Sequence, residues 1–220
     1  MPRSLSGPVI EPDGQPSSAV VLLHGYGANG DDLIGLGQSW RNELPDTVFL
    51  APNAPDALPF PAIGGLQWFD LTTREADELW RGVNEAGPAL AEYLAEVLDT
   101  YCLTACRLAL VGFSQGTMMA LHTGLRLGDS VAAIVGFSGR LAGPEHLSTE
   151  LTVRPPIQLI HGTADDVVPV EAIHAAREAL SESGLDVEWH VRPGLGHGID
   201  EVGLQLAAKF LREHLANAPS

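Results

Sequence analysis

The chain has 220 residues, enough to bury a substantial core, and is expected to form one domain spanning 1–220. Hydrophobic residues make up 45% and charged residues 18%, the balance of an ordinary globular protein, and no apolar run approaches the ~18 residues that would span a bilayer. A formal net charge of −16 argues against nucleic acid and against anionic membrane surfaces as partners.

The opening segment Met1-Pro2-Arg3-Ser4-Leu5-Ser6-Gly7-Pro8 lacks the apolar region of a signal peptide, so a cytoplasmic protein is expected. Strands are predicted at Pro8–Glu11, Ala19–Leu23, Val48–Ala51, Leu108–Gly112, Val131–Phe137, Pro156–His161 and Val187–Val191. The turn-prone Pro12-Asp13-Gly14-Gln15 would join the first two as a hairpin. Helices are predicted at Asp31–Asn42, Glu75–Tyr101, Gln115–Leu127, Pro169–Ser183 and Asp200–Ala216. Gly82, Gly87 and Pro88 should break or kink the second, and Val202, Leu206, Phe210 and Leu215 give the last an apolar face. Alternating strands and helices imply an α/β class with a mostly parallel central sheet covered on both faces. Cys102 and Cys106 lack C-x-x-C spacing and have no second pair to complete a zinc site, so they read as small buried apolar residues.

The early loop His24-Gly25-Tyr26-Gly27-Ala28-Asn29-Gly30 contains Gly25-x-Gly27-x-x-Gly30 between a strand and a helix. That spacing fits a dinucleotide fingerprint, but the acidic residue due at the end of the next strand is missing, so the reading fails. The irregular Pro52–Thr73 stretch carries Phe60, Ile63, Leu66, Trp68 and Phe69, more large apolar groups than a plain connector needs, and these are candidate acyl-pocket residues.

Gly112-Phe113-Ser114-Gln115-Gly116 fits G-x-S-x-G, with an apolar strand before it and a helix after it. This is the setting of a nucleophile elbow, in which a sharp turn lifts the serine hydroxyl above the sheet. Gly136-Phe137-Ser138-Gly139 looks similar, but Arg140 replaces the second glycine and no helix follows, so Ser138 reads as a strand-end turn residue. A serine needs a base and the base needs an orienting acid, here expected in the order Ser…Asp/Glu…His. Asp165 and Asp166 both follow the strand ending at His161, and the sequence pattern does not choose between them. Of eight histidines, His197 in Gly194-Leu195-Gly196-His197-Gly198 lies after the last strand in a loop of the right order. The N-terminus of the helix at Gln115 offers its main-chain N–H as one oxyanion donor, and the loop after the early strand offers that of Tyr26.

With these pieces assembled, the chain resembles the phospholipase/carboxylesterase family of α/β-hydrolases, which includes small bacterial carboxylesterases and acyl-protein thioesterases. The likeness rests on six motifs in order: His24 to Gly30, Ala51-Pro52-Asn53-Ala54-Pro55, Trp68-Phe69-Asp70, Gly112 to Gly116, His161-Gly162-x-x-Asp165-x-x-Val168-Pro169 and Gly196-His197. The resemblance implies an α/β-hydrolase fold, a triad of Ser114, Asp165 and His197, an oxyanion hole at the N–H groups of Tyr26 and Gln115, and no cofactor or metal. Tyr26 departs from the leucine usual there, which changes the pocket wall and leaves the main-chain donor. The segment from Phe137 to Pro156 is too short for a packed helical lid, so an open site for short-to-medium acyl esters is expected. Thioesterase and lysophospholipase activity are the alternatives, and a non-catalytic binding protein on the same fold is a remoter one. Exposed apolar loop residues would also suit a homodimer.

Overall fold

The computed structural model describes residues 5–59 and 65–216. In chain order its strands are β1 (Val9–Ile10), β2 (Ser18–Leu23), β3 (Thr47–Leu50), β4 (Asp56–Ala57), β5 (Leu66–Gln67), β6 (Leu108–Phe113), β7 (Ala133–Phe137), β8 (Ile157–Gly162) and β9 (Val187–Arg192). The helices are α1 (Gly30–Trp40), α2 (Ala76–Tyr101), α3 (Gln115–Gly124), α4 (Leu147–Glu150), α5 (Glu171–Glu182) and α6 (Glu201–Ala216). Among the described residues one sheet has the order β1-β3-β2-β6-β7-β8-β9, parallel except for β1. This is the α/β-hydrolase architecture without a large inserted lid: between β7 and β8 stand only a single 3₁₀ turn, Pro144–His146, and the four-residue α4.

The central strands β2, β3, β6, β7 and β8 are buried throughout except at Phe113, the half-buried last residue of β6, as continuous apolar runs must be when helices cover both faces. Val21, Leu23, Leu108 and Leu110 face α2, α3 and α5, whereas Val20, Leu22, Ala109 and Val111 face α1 and α6. Alternate residues of a strand point to opposite faces, so two cores grow from the same sequence runs.

Several expectations need correction. The first two strands do not form a hairpin: β1 pairs antiparallel with β3, Val9 opposite Leu50. Both edges of β2 are taken, by β3 and β6, so the incoming chain can add only outside β3. The second helix is unbroken from Ala76 to Tyr101 with Pro88 inside it. Its buried face, including Leu79, Val83, Leu90, Leu94 and Val97, outweighs the hydrogen bond that proline removes. Gly82 lets Phe69 pack directly on this helix, where a Cβ would strike the ring. In α6 the buried face is Gly203, Ala207, Ala208, Phe210, Leu211 and Leu215, while Leu206 is half-buried and Val202 exposed. The cysteines are not buried either. Cys102 takes a left-handed conformation (φ 53°) at the exposed end of α2, and Cys106 is half-buried.

Candidate active site

At the end of β6 the chain turns through Ser114, with φ 55° and ψ −113°, straight into α3. That backbone is rare for a residue carrying a Cβ and holds strain at the turn. The flanking glycines follow from lack of space. A Cβ on Gly112 would strike the backbone of Gly116 and Thr117, and one on Gly116 would strike the carbonyls of Leu23 and His24. Ser114 N–H donates to Phe137 O at 2.8 Å, and the Thr117 hydroxyl is shared between the carbonyls of Gly112 and Phe137. The Ser114 hydroxyl is not spent on capping α3. Ser138, at φ 47°, is the turn residue expected of it: its N–H joins Ile160 O, and no helix follows directly.

In the loop after β8 the two aspartates stand in different surroundings. Asp165 is buried, whereas Asp166 is exposed. Asp165 Oδ1 accepts from Val167 N–H (3.0 Å) and Val168 N–H (2.8 Å), and its Oδ2 meets His197 Nδ1 at 2.8 Å. Burial pushes this carboxyl up, but the Val168 N–H, the His197 imidazole and the Val167 N–H together hold it below its usual value. Because a carboxylate only accepts, Nδ1 of His197 carries the proton and Nε2 is left as the basic atom. The His197 loop is sewn to the acid's loop by Ala164 N–H to Leu195 O (2.9 Å) and Gly194 N–H to the Thr163 hydroxyl (2.8 Å). It lies close because Gly162 has no Cβ to collide with the carbonyls of Leu195 and Gly196.

His197 also stands beside the elbow. Its ring centroid is 4.9 Å from that of Phe113, the residue before Ser114. No hydrogen bond joins Ser114 Oγ to His197 among the described residues; such contacts often tighten only when substrate binds.

Three comparisons bear on this arrangement. A family model described as phospholipase/carboxylesterase matches residues 6–215. The chain belongs to the phospholipase/carboxylesterase family. The crystal structure of esterase PE8 shares 45% identity with this hydrolase and superposes with a TM-score of 0.92, covering 97% of this chain and all of that one. Esterase YpfH of Escherichia coli is 31% identical over 93% of this chain and 86% of its own. Acyl-protein thioesterase 1 of Gibberella zeae is 28% identical over 91% and 92%. The family member described here is accordingly a hydrolase of the esterase and thioesterase kind.

The loop after β2, the candidate oxyanion loop, abuts the elbow. A Cβ on Gly25 would lie 3.1 Å from Phe113 Cδ1 and 3.3 Å from Ser114 Cβ, so the loop passes in direct contact. Tyr26 N–H has no acceptor among the described residues, and Gln115, first in α3, has no intrahelical acceptor for its own. The Tyr26 side chain is exposed. His24 holds the loop from behind. Its Nδ1–H donates to Gly25 O (2.8 Å), while Nε2 accepts Ala54 N–H (2.9 Å). Burial keeps this imidazole neutral by lowering its pKa, against the opposing pull of the Gly25 carbonyl and the Asp32 charge. The Gly-rich spacing that resembled a dinucleotide fingerprint serves α1 instead. Asn29 Oδ1 caps Asp31 and Asp32 N–H, and Asp32 returns a bond to Asn29 N–H.

Three supporting roles are not visible in the motifs. The fully buried Gln115 side chain accepts Trp68 N–H (3.0 Å) and donates to Phe69 O (2.8 Å). Trp68 Nε1–H donates to His24 O at 2.9 Å. His161 donates its Nε2–H to Val168 O (2.8 Å) and lies 3.3 Å from Asp165 Oδ2, bracing the acid from below. The signals were present, since His24 and His161 each stand at a strand end before a glycine, but a histidine there reads equally well as packing.

The acyl-pocket expectation also needs correction. Phe60 and Ile63 lie outside the described residues. Trp68 and Phe69 are buried in the core, and Leu66 packs half-buried against it with its N–H on Ala28 O. They support the loop after β2 instead of forming an open apolar wall. The groove of about 800 Å³ that Trp68 and Phe69 border mixes charged residues, Asp56, Asp70, Glu78, Arg81 and Glu85, with prolines and alanines.

Proposed function

We propose that this chain is a serine carboxylesterase that hydrolyses short-to-medium acyl esters through an acyl-enzyme on Ser114. The observation that carries the reading is the 2.8 Å bond from His197 Nδ1 to the buried Asp165 carboxylate, on loops beside a strained serine turn. Ser114 Oγ attacks the ester carbonyl as His197 Nε2 takes its proton, and the tetrahedral oxyanion is received by Tyr26 and Gln115 N–H. The intermediate collapses with His197 protonating the leaving alcohol. Water then attacks the acyl-enzyme, giving its proton to His197, and the carboxylic acid leaves as Ser114 is reprotonated. Asp165 holds one tautomer and stabilises the imidazolium throughout. Each oxyanion donor contributes ~3–4 kcal/mol to the chemical step.

The expected partner is a small acyl ester; no helix among the described residues is long and apolar enough to cross a membrane. Cys102 and Cys106 are not joined in a disulfide, which suits a reducing compartment and supports a cytoplasmic setting. A thioesterase reading has its own support in the named acyl-protein thioesterases. Rates on p-nitrophenyl esters of graded length, acyl-CoA and lysophosphatidylcholine separate the cases. The proposal expects kcat/KM to be highest on short-to-medium esters, and a preference for either of the other substrates overturns it.

A further inference from the structure

The sheet ends differently at its two edges. One edge is β1, only two residues long, and the other is β9, six residues from Val187 to Arg192. β9 pairs with β8 in one unbroken register without a bulge, and it contains neither proline nor lysine. Shortness, bulges, proline and lysine are common means of keeping an edge from pairing with another chain, and β9 has none of the four. Main-chain bonds show which of its groups face outward. Asp186 O accepts Ile157 N–H (3.1 Å) and Arg192 O accepts Thr163 N–H (3.0 Å). The alternation of a parallel ladder therefore turns Asp186, Glu188, His190 and Arg192 toward β8. Val187, Trp189 and Val191 direct their N–H and C=O groups away from the sheet, and among the described residues no main-chain bond reaches them. Trp189, at the middle, stays 37% exposed although His174 and Arg177 of α5 lie against its ring at 5.3 and 5.0 Å.

The charged residues of this edge are ordered to match a second copy of it. Asp186-Val187-Glu188-Trp189-His190-Val191-Arg192 runs acid, apolar, acid, aromatic, base, apolar, base. Laid antiparallel on itself about a two-fold axis at Trp189, the strand meets its complement at every position. Asp186 faces Arg192, Val187 faces Val191, Glu188 faces His190, and Trp189 faces its own counterpart. The same axis sets outward-facing residues against outward-facing ones, as antiparallel hydrogen bonding requires. Moving it to Glu188 or His190 would place like side chains face to face. Glu188 and His190 are already joined within the chain at 2.6 Å, so across the axis the two pairs would close into one cluster. Arg192 Nε is held by Asp200 at 3.0 Å, which leaves its terminal nitrogens for the carboxylate opposite. Copies of a chain with net charge −16 repel one another in general, and this strand is a patch where the charge balances.

We propose that β9 is a self-complementary edge through which two copies of this chain dimerise, joining their seven-stranded sheets into one. The inference does not depend on the esterase reading.

Sedimentation velocity of the full chain at micromolar concentration tests it. The wild type is expected at twice the chain mass of 23.3 kDa. Trp189→Lys sets two ammonium groups on the axis, and Asp186→Arg sets guanidinium against guanidinium. Both positions are exposed, so each variant is expected to melt cooperatively and to sediment as a monomer. Arg192→Asp is expected to be monomeric too, because its carboxylate would face Asp186. Mixing the Asp186→Arg chain with the Arg192→Asp chain puts opposite charges at both contacts, and dimer is expected to return only in the mixture. Should Arg192→Asp fail to fold, the other two variants decide alone. A monomeric wild type, a dimer that survives Trp189→Lys or Asp186→Arg, or a mixture of folded variants that stays monomeric overturns the proposal.

Discussion

His197 Nδ1 donates to Asp165 Oδ2 at 2.8 Å, while the acid's other oxygen is fixed by two main-chain N–H groups. The carboxylate can therefore neither rotate nor exchange its oxygens. Asp165→Asn keeps an oxygen for the main-chain donors but turns an N–H toward Nδ1, which forces the ring proton onto Nε2. A kcat loss of about ten-thousand-fold is expected on p-nitrophenyl butyrate. A loss below tenfold would show that the acid does not set the tautomer.

Gln115 joins the elbow to the segment beneath the oxyanion loop. Gln115→Ala leaves the Trp68 N–H and the Phe69 carbonyl unpaired in the core, at a cost of about 1–3 kcal/mol each. A lower Tm is expected together with a fall in kcat that exceeds any rise in KM, because Ser114 remains while its surroundings loosen. Unchanged kcat in the folded variant would limit the side chain to a packing role.

Gly25→Ala separates positioning from stability. The added methyl is tight against Phe113 and Ser114 Cβ but does not overlap them, so the oxyanion loop must give by a few tenths of an ångström. Displacement of that order is expected to lower kcat by about 10–100-fold with Tm within a few degrees of wild type. Steady-state kinetics beside a melting curve decides it.

Burial, aided by the Arg126 charge and opposed by Glu150, lowers the His122 pKa from 6.5 to about 4. Between those values the unfolded chain binds a proton that the folded chain refuses. The stability contributed by neutral His122 is thus complete above 6.5 and is lost as pH falls toward about 4. The Tm difference between wild type and His122→Gln should shift against the wild type across that window. A pH-independent difference would contradict the shift.

The alternating strands and helices and the strand–Ser114–helix turn were legible because each follows from local rules: strand-end glycines, apolar runs and loop chemistry; the candidate triad was assembled from chain order and a family motif. What was hidden depended on distant pairing. No local pattern near Val9 says that both edges of β2 are already taken, nor does the sequence around Pro88 reveal how much apolar surface α2 buries. Trp68 reads as pocket lining until its indole N–H is seen on His24 O, 44 residues away in the chain. Strand-end position alone does not separate Asp165 from Asp166; the family motif singles out Asp165, and the fold buries it.

The central claim is that Ser114 is a nucleophile activated by His197. Mass spectrometry of the folded protein after treatment with a fluorophosphonate tests it directly. The account predicts one phosphonyl adduct on the peptide containing Ser114, absent in Ser114→Ala and greatly slowed in His197→Ala. An unlabelled but folded wild type, or a label on another residue that persists in Ser114→Ala, would contradict it.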